Sequence, residues 1–243
     1  EASLLNNLAN VYKKLHQTEE AIYHYLQAIA LEPEYAQAHN NLASIYAQNN
    51  QYQAALAHYI KAVNAAPDFS AAHFNLGLLL LKNNELDAAK TQFNNVLSLN
   101  PDATEALFYL GVLHLNSGAL DEAKNALSTL LEQDPEHVEA LVNLGVIALK
   151  NEENQSAVDY FSKALALDNE HMDARNNLAG TFMHHDRFEN ALMHYDVLLK
   201  AEPNNTEYLY NCGVAQMALG HLNEAIVFFE QVLHLEHKHT PSL

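Results

Sequence analysis

The stretch SAAHFNLGLLLLKNNELDAAKTQFNNVLSLNPDA, residues 70–103, decides the fold, because its residue pattern returns every 34 residues along the chain. Its proline belongs to a series with a spacing of 34 residues, or of 68 across one gap that Asn169 fills: Pro33, Pro67, Pro101, Pro135 and Pro203. Seven such units follow one another without insertion or deletion: 2–35, 36–69, 70–103, 104–137, 138–171, 172–205 and 206–239. A fixed period of this length is typical of a solenoid.

Four positions of the repeating unit accept few residue types. The position of Leu76 holds Leu in six units, that of Gly77 is always Gly or Ala, that of Ala89 is always Ala, and that of Phe93 is always large and apolar. These positions recur at helical spacing on either side of a short polar stretch such as 14–18. The pattern therefore predicts two helices per unit that cross closely at the small position, where a larger side chain would overpack.

Leu76-Gly77 together with Ala89, Phe93 and Pro101 resemble the tetratricopeptide repeat, and the resemblance covers essentially the whole chain. It implies an all-α fold: a single α-solenoid domain over 2–239, with seven tetratricopeptide helix pairs forming a right-handed superhelix. The family's Trp near the start of the first helix is absent, and its position reads Leu5, His39, His73, Leu107, Leu141, Arg175 and Leu209. Residues 240–243 are interpreted as the truncated start of a further helix, so we expect the natural chain to continue.

Composition excludes several classes of partner. The formal charge is −18, with 12 Lys and Arg against 30 Asp and Glu. Binding to nucleic acid or to an acidic membrane surface needs clustered basic residues, so neither is expected. The longest apolar run is too short to span a bilayer, and the single Cys fits a reducing compartment, which favours a cytoplasmic location.

One polar column lies on the face of the first helices that the packing within each pair leaves unused: Asn7, Asn41, Asn75, Tyr109, Asn143, Asn177 and Asn211. The resemblance implies that first helices line a concave ligand groove. Asn is a mediocre helix former, so six copies cost stability. A side-chain amide offers a donor and an acceptor to an extended peptide backbone, similar to the asparagine ladder in the superhelical repeats of O-GlcNAc transferase and related scaffolds. The alternatives are a solvated Asn copied by duplication and an amide that bonds the adjacent repeat.

Apolar side chains fill the middle of the same face: Phe74, Leu78, Phe108, Val112, Val142 and Val146. A mixed stretch with Asn176, Gly180 and Tyr210 follows. Contiguous apolar residues that the packing does not require indicate a binding surface, although neighbouring first helices could also bury them against each other. Acidic residues such as Glu207 in the first turns suit the helix dipole and make the second half of the groove negative, which mildly favours a basic ligand.

The chain contains no Gly-rich phosphate loop, nucleophile elbow, paired Cys or HExxH motif, so we expect no enzyme activity and no cofactor. We also expect no metal site, and we interpret metal binding at His184-His185 or at the cluster His234, His237 and His239 as adventitious. The predicted function is a non-catalytic scaffold that binds an extended peptide or protein segment in the groove. Two alternatives remain open: the substrate-recruiting arm of a glycosyltransferase or methyltransferase whose catalytic domain lies beyond Leu243, and self-association, such as a homodimer, through the terminal repeats.

Overall fold

The structure of the chain, a computed structural model, describes residues 1–239, with side chains as far as Glu236. Fourteen α-helices and no strands occur in that range, which confirms the all-α prediction: α1 (Ala2–Lys14), α2 (Thr18–Leu31), α3 (Ala36–Gln48), α4 (Tyr52–Ala65), α5 (Ser70–Lys82), α6 (Leu86–Leu99), α7 (Thr104–Asn116), α8 (Leu120–Gln133), α9 (Val138–Lys150), α10 (Asn154–Leu167), α11 (Met172–His184), α12 (Phe188–Ala201), α13 (Thr206–Ala218) and α14 (Leu222–His239). Each predicted repeat holds one odd-numbered first helix and one even-numbered second helix. The further helix expected at 240–243 lies outside the described residues.

Two compact units divide the chain between Ala119 and Leu120. Unit 1 contains the pairs α1/α2, α3/α4 and α5/α6, followed by α7, and unit 2 contains α8 followed by the pairs α9/α10, α11/α12 and α13/α14. Inside each unit, the two helices of a pair pack together and each second helix packs on the next first helix. This is the stacking of helix pairs that the 34-residue period predicts.

Small residues allow the two helices of a pair to approach closely. Gly77, Gly145 and Gly213 each face the aromatic ring of the second helix in their own pair, and a Cβ atom there would lie within 2.8 Å of that ring. Ala89 and its equivalents in the other repeats are buried to 3 % exposure or less. The predicted close crossing is therefore confirmed at these positions.

A residue with positive φ follows each first helix, at the same position of every repeat: His16, Asn50, Asn84, Gly118, Glu152, Asp186 and Gly220. The φ values lie between 54° and 81°, in the left-handed region that favours glycine, yet only two of the seven residues are glycines. The residue types at this position do not indicate a left-handed backbone, because five of the seven are not glycine.

Polar side chains replace the family's Trp in three repeats and tie the first helix to the preceding loop. His39 Nε2 lies 2.9 Å from the carbonyl oxygen of Pro33, and His73 Nε2 lies 3.0 Å from that of Pro67. Arg175 in the same position donates to the carbonyl of Asn169. Each of these buried side chains thus finds a partner six residues earlier in the chain, although Nε of Arg175 has none among the described residues.

Each of these three residues also meets a polar side chain 19 residues later, on the second helix of its own pair: His58, Gln92 and His194. His39 Nδ1 and His58 Nδ1 are 2.8 Å apart, so one ring donates to the lone pair of the other. Burial lowers the pKa of His58 to about 4, helped by the positive charges that His39 and Lys61 would carry, and burial also lowers the pKa of His39. Both rings are therefore neutral at neutral pH.

Candidate functional site

Two asparagines of the column in unit 1, Asn41 and Asn75, donate to side chains of the preceding repeat. Asn41 Nδ2 donates to Asn6 Oδ1 at 3.1 Å and to Asn10 Oδ1 at 3.2 Å, and Asn75 Nδ2 donates to Asn40 Oδ1 at 3.0 Å. Both amide hydrogens of Asn41 and one of the two of Asn75 are engaged in this way, which corrects the expectation that Asn41 offers a donor to a ligand. The physical reason is that the preceding first helix supplies a buried amide oxygen 35 residues earlier, which needs a donor.

Three other members of the column have unrelated surroundings. Asn7 is exposed. Tyr109 stacks on Phe93, with ring centroids 5.3 Å apart. Asn143 Nδ2 donates at 2.8 Å to the carbonyl oxygen of Glu139 in its own helix. The column therefore does not form a uniform ladder of free amides.

Two asparagines of the column in unit 2, Asn177 and Asn211, lie beside a cavity. Asn177 makes no side-chain hydrogen bond among the side chains described, as far as Glu236, and Asn211 Nδ2 donates to the hydroxyl oxygen of Tyr195 at 3.1 Å. Both residues line the same open cavity. They remain candidates for contact with a ligand.

The apolar strip on the first helices is largely covered by the protein itself. Its members in unit 1 are all half-buried: Phe74, Leu78, Phe108 and Val112. In unit 2, Val142 is only 9 % exposed and belongs to the core, and Val146 packs against that core. Val142 is thus not available to a ligand, because neighbouring helices bury it as the alternative interpretation stated. Tyr210 is 54 % exposed and stands open to solvent.

A cavity of about 680 Å³ lies in unit 2, between α11 and α13, and reaches the end of α9 and the start of α10. Polar side chains predominate among its lining residues: Leu149, Glu152, Asn154, Asn176, Asn177, Gly180, Thr181, His184, Tyr195, Glu207 and Asn211. The sequence pattern predicted Asn177 and Asn211 as site residues and placed Asn176, Gly180 and Glu207 on the same groove, whereas the parts that Glu152, Asn154, Thr181, His184 and Tyr195 take in the cavity were not predicted.

The absence of a side chain at Gly180 opens this cavity above the hydroxyl of Tyr195. A Cβ atom at Gly180 would meet no atom within 4 Å. In the first repeat, Asn10 holds the equivalent position, 15 residues before Tyr25, and its Oδ1 accepts the hydroxyl proton of that tyrosine at 2.5 Å. The sixth repeat has Gly180 where the first has Asn10, so the hydroxyl of Tyr195 lacks the acceptor that Asn10 gives to Tyr25.

The hydroxyl of Tyr195 is a donor without an acceptor among the described residues. The side chain is 1 % exposed, and its oxygen receives a hydrogen bond from Asn211. Burial raises the pKa of Tyr195 to about 12, so the hydroxyl keeps its proton at neutral pH. The sequence signal that could have located this site is a glycine on the groove face, Gly180, that precedes the buried Tyr195 by 15 residues.

A second cavity of about 330 Å³ occupies the equivalent place in unit 1, four repeats earlier. Ser44, Tyr59 and Asn75 take the places of Gly180, Tyr195 and Asn211, and Lys82 also lines this cavity. Lys13 Nζ donates to Ser44 Oγ at 2.7 Å. The two cavities thus share a position in the repeat but differ in charge.

Negative charge surrounds the cavity of unit 2. The sequence from Leu120 onwards has 20 Asp and Glu against 7 Lys and Arg, whereas residues 1–119 have 10 and 5. Glu152 and Glu207 line the cavity, and no Lys or Arg does. Burial and the nearby carboxylates of Glu202, Glu207 and Asp173 raise the pKa of Tyr208, which reports the same negative potential. A cation is therefore favoured in this cavity.

The described part of the chain contains no group of three or more His, Cys, Asp or Glu placed to hold a metal ion. The side chains of His237 and His239, in the late histidine cluster, lie outside the described residues. Cys212 is buried, and burial raises the pKa of its thiol to about 11. No helix within residues 1–239 is both long and apolar enough to cross a bilayer.

Two family models match the sequence. Residues 1–207 match the family described as the cilia and flagella-associated protein 70 C-terminal domain, and residues 206–238 match the tetratricopeptide repeat. A search of curated proteins finds no match.

Several solved structures are similar to this chain. YrrB, described as a TPR protein with an unusual peptide-binding site, is 29 % identical with a TM-score of 0.65, over 72 % of this chain and 90 % of YrrB. MamA is 23 % identical with a TM-score of 0.65, over 72 % of this chain and 97 % of MamA. A tetratricopeptide repeat protein from Parabacteroides merdae ATCC 43184 is 16 % identical with a TM-score of 0.68, over 96 % and 93 % of the two chains. The last two show the fold alone.

Proposed function

The chain belongs to the family of the cilia and flagella-associated protein 70 C-terminal domain and consists of tetratricopeptide repeats, and we propose that it binds an extended segment of another polypeptide. The tetratricopeptide fold is generally a non-catalytic interaction scaffold. The binding surface is the face of α11 and α13 that carries the cavity of unit 2. The segment lies across these first helices, with its backbone against the amides of Asn177 and Asn211.

The observation that carries this proposal is the set of polar groups left open on one face of unit 2. Asn177 has no partner within the described residues, and the proton of the Tyr195 hydroxyl has no acceptor there. Peptide backbone alternates carbonyl and N–H groups, so it supplies the missing partners for amides and hydroxyls. Asn41 in unit 1 uses both of its amide hydrogens within the protein, whereas Asn177 uses neither among the described residues, so unit 2 is the better site.

The likeness to YrrB supports the same class of ligand. YrrB is 29 % identical over 72 % of this chain and is described as having a peptide-binding site. YrrB supports only the binding of a peptide, whereas the position of the site is supported by this chain's own residues.

The expected affinity is modest. Each net hydrogen bond contributes about 1 kcal/mol, and the exposed ring of Tyr210 adds burial of apolar surface. Ordering a flexible segment takes back about 2 to 5 kcal/mol. The net free energy of binding is a small difference between these opposing terms, so the segment is expected to bind weakly.

A peptide selection tests the proposal. Random twelve-residue peptides displayed on phage are selected on the immobilised protein, and the enriched peptides are synthesised and measured by fluorescence anisotropy. Asn177→Ala should weaken binding about fivefold, because it removes one amide contact. Asn7→Ala, in the same column but in unit 1, is the matched control and should bind as the parent protein does. No enrichment, or equal binding by both variants, would contradict the proposal.

Self-association through the terminal repeats is a second candidate, favoured by exposed apolar positions at both ends. Leu8 and Val11 are 38 % and 52 % exposed, whereas interior repeats bury the same positions, and Leu233 near the end of α14 is 54 % exposed. Lys13 and Lys14 beside the first surface, and Glu230 beside the second, have complementary charges. A second copy would therefore dock head to tail. Sedimentation across a dilution series should show a mass that rises with concentration, and Val11→Glu should abolish the rise; a constant monomer mass would exclude it.

A further inference from the structure

We infer that the cavity above Gly180 is a subsite for a Lys or Arg side chain on the bound segment, with Tyr195 donating its hydroxyl proton to a main-chain carbonyl beside that side chain. This inference rests on the proposed function and names the chemistry that it recognises. Its parts are the space at Gly180, the donor at Tyr195 and the carboxylates of Glu152 and Glu207.

The shape of the cavity comes from one residue. Gly180 lies in the interior of α11 with ordinary helical backbone, and a Cβ atom there would meet nothing within 4 Å. Glycine costs a helix interior about 1 kcal/mol relative to alanine, and here neither backbone angle nor close packing requires it. The space above Tyr195 is what the glycine provides.

The hydroxyl of Tyr195 selects the polar group that enters. Its oxygen already accepts a hydrogen bond from Asn211 at 3.1 Å, and burial holds its pKa at about 12. The hydroxyl therefore presents a proton to the cavity, and the group that satisfies it is an acceptor. On a polypeptide the most abundant acceptor is the main-chain carbonyl.

The charge of the lining selects the side chain. Glu207 lies in the first turn of α13 and Glu152 in the turn after α9, and both carboxylates are exposed. No Lys or Arg lines the cavity to neutralise them. A Lys or Arg that enters gains a charge-assisted hydrogen bond, whereas an acidic side chain is repelled.

The equivalent cavity in unit 1 lacks these features and serves as an internal control. It has half the volume, about 330 Å³, and it is lined by Lys82 and no carboxylate. Ser44 stands where Gly180 stands in unit 2, and Asn75 donates to Asn40 rather than to a tyrosine hydroxyl. A cationic side chain is therefore expected in unit 2 and not in unit 1.

The test uses the peptides enriched by selection on the full chain. Those peptides should share a Lys or Arg at one position, and a synthetic version with norleucine there should bind about tenfold more weakly. Gly180→Leu, which fills the cavity, should also weaken binding about tenfold, while circular dichroism should show an unchanged or higher melting temperature. Glu207→Gln should weaken binding about fivefold.

Two control variants match these changes. Ser44→Leu fills the cavity of unit 1, and Asp196→Asn removes one exposed carboxylate from α12, outside the cavity. Both should bind the peptides within about twofold of the parent protein, since neither touches the subsite.

The outcomes separate the inference from the function on which it rests. If peptides bind and Asn177→Ala weakens them, but norleucine or Glu207→Gln changes nothing, the basic subsite is wrong and the proposed function stands. If Ser44→Leu abolishes binding and Gly180→Leu does not, the subsite is likewise wrong. If selection enriches no peptide, both are wrong.

Discussion

The aromatic ring of Phe161 lies so close to the backbone of Gly145 that a Cβ atom on Gly145 would be 2.5 Å from Cε1 of the ring. Gly145 belongs to α9 and Phe161 to α10, so this contact fixes how closely the two helices of the fifth repeat approach. Phe161 is fully buried and belongs to the core of unit 2. Because the ring is surrounded by the core, it has little room to move aside.

Gly145→Ala should lower the free energy of unfolding by about 1 to 3 kcal/mol, because the added methyl group overpacks against the ring. Gly180→Ala should raise it by about 1 kcal/mol, because the position is an open helix interior. Urea denaturation followed by circular dichroism measures both. Equal changes in the free energy of unfolding, in the same direction, would show that the ring of Phe161 does not exclude a Cβ atom at Gly145.

Asn75→Ala should lower the free energy of unfolding by about 1 kcal/mol, because it leaves the buried Oδ1 of Asn40 without the donor that lies 3.0 Å away. Asn143→Ala, in the same column, should be neutral or stabilising, because its amide bonds only a carbonyl of its own helix and alanine is the better helix former. The same urea titration compares them. A loss at Asn143 as large as at Asn75 would contradict the assigned hydrogen bonds.

The histidine pair of the second repeat should make stability depend on pH. Burial lowers the pKa of His58 to about 4, below its ordinary value of 6.5, and lowers that of His39 as well. The unfolded chain therefore binds protons between pH 6.5 and 4 that the folded chain does not. The free energy of unfolding is therefore highest above pH 6.5, where His58 is neutral in both states. It falls as the pH drops toward 4, by about 2 to 3 kcal/mol for His58.

His58→Gln is the variant that checks this pH dependence. Gln92 already holds the equivalent position in the third repeat, where it hydrogen-bonds His73 at 2.8 Å, so the substitution should fold normally at pH 7.5. The free energy of unfolding, measured by urea titration at several pH values, should fall less steeply in the variant between pH 6.5 and 4. Identical slopes in the two proteins would show that His58 is protonated in the folded state.

The sequence predicted the helix pairs correctly, because their determinants recur every 34 residues and each recurrence repeats the evidence. All seven repeats have Ala at the position of Ala89 and a large apolar residue at the position of Phe93, so both positions are predicted to be packed. The left-handed backbone at Glu152 was not predicted, because the residue type indicates such a conformation only where it is glycine.

The site was predicted less well, because its chemistry depends on where the repeats differ. Asn41 and Asn177 are equivalent by period, but Asn41 finds Asn6 and Asn10 as partners and Asn177 finds none within the described residues. A side-chain hydrogen bond depends on the residue that the adjacent repeat presents, which a single column does not reveal. Gly180 was noted only as part of a mixed stretch, because its effect is exerted through Tyr195.

The most direct test of the central claim is the backbone amide spectrum of the ¹⁵N-labelled protein, titrated with a selected peptide. The amide resonances of Asn177, Gly180 and Asn211 should move progressively with peptide concentration, and those of α4, in unit 1, should stay in place. Shifts confined to unit 1, or to the second helices α12 and α14, would contradict the claim that the face of α11 and α13 holds the bound segment.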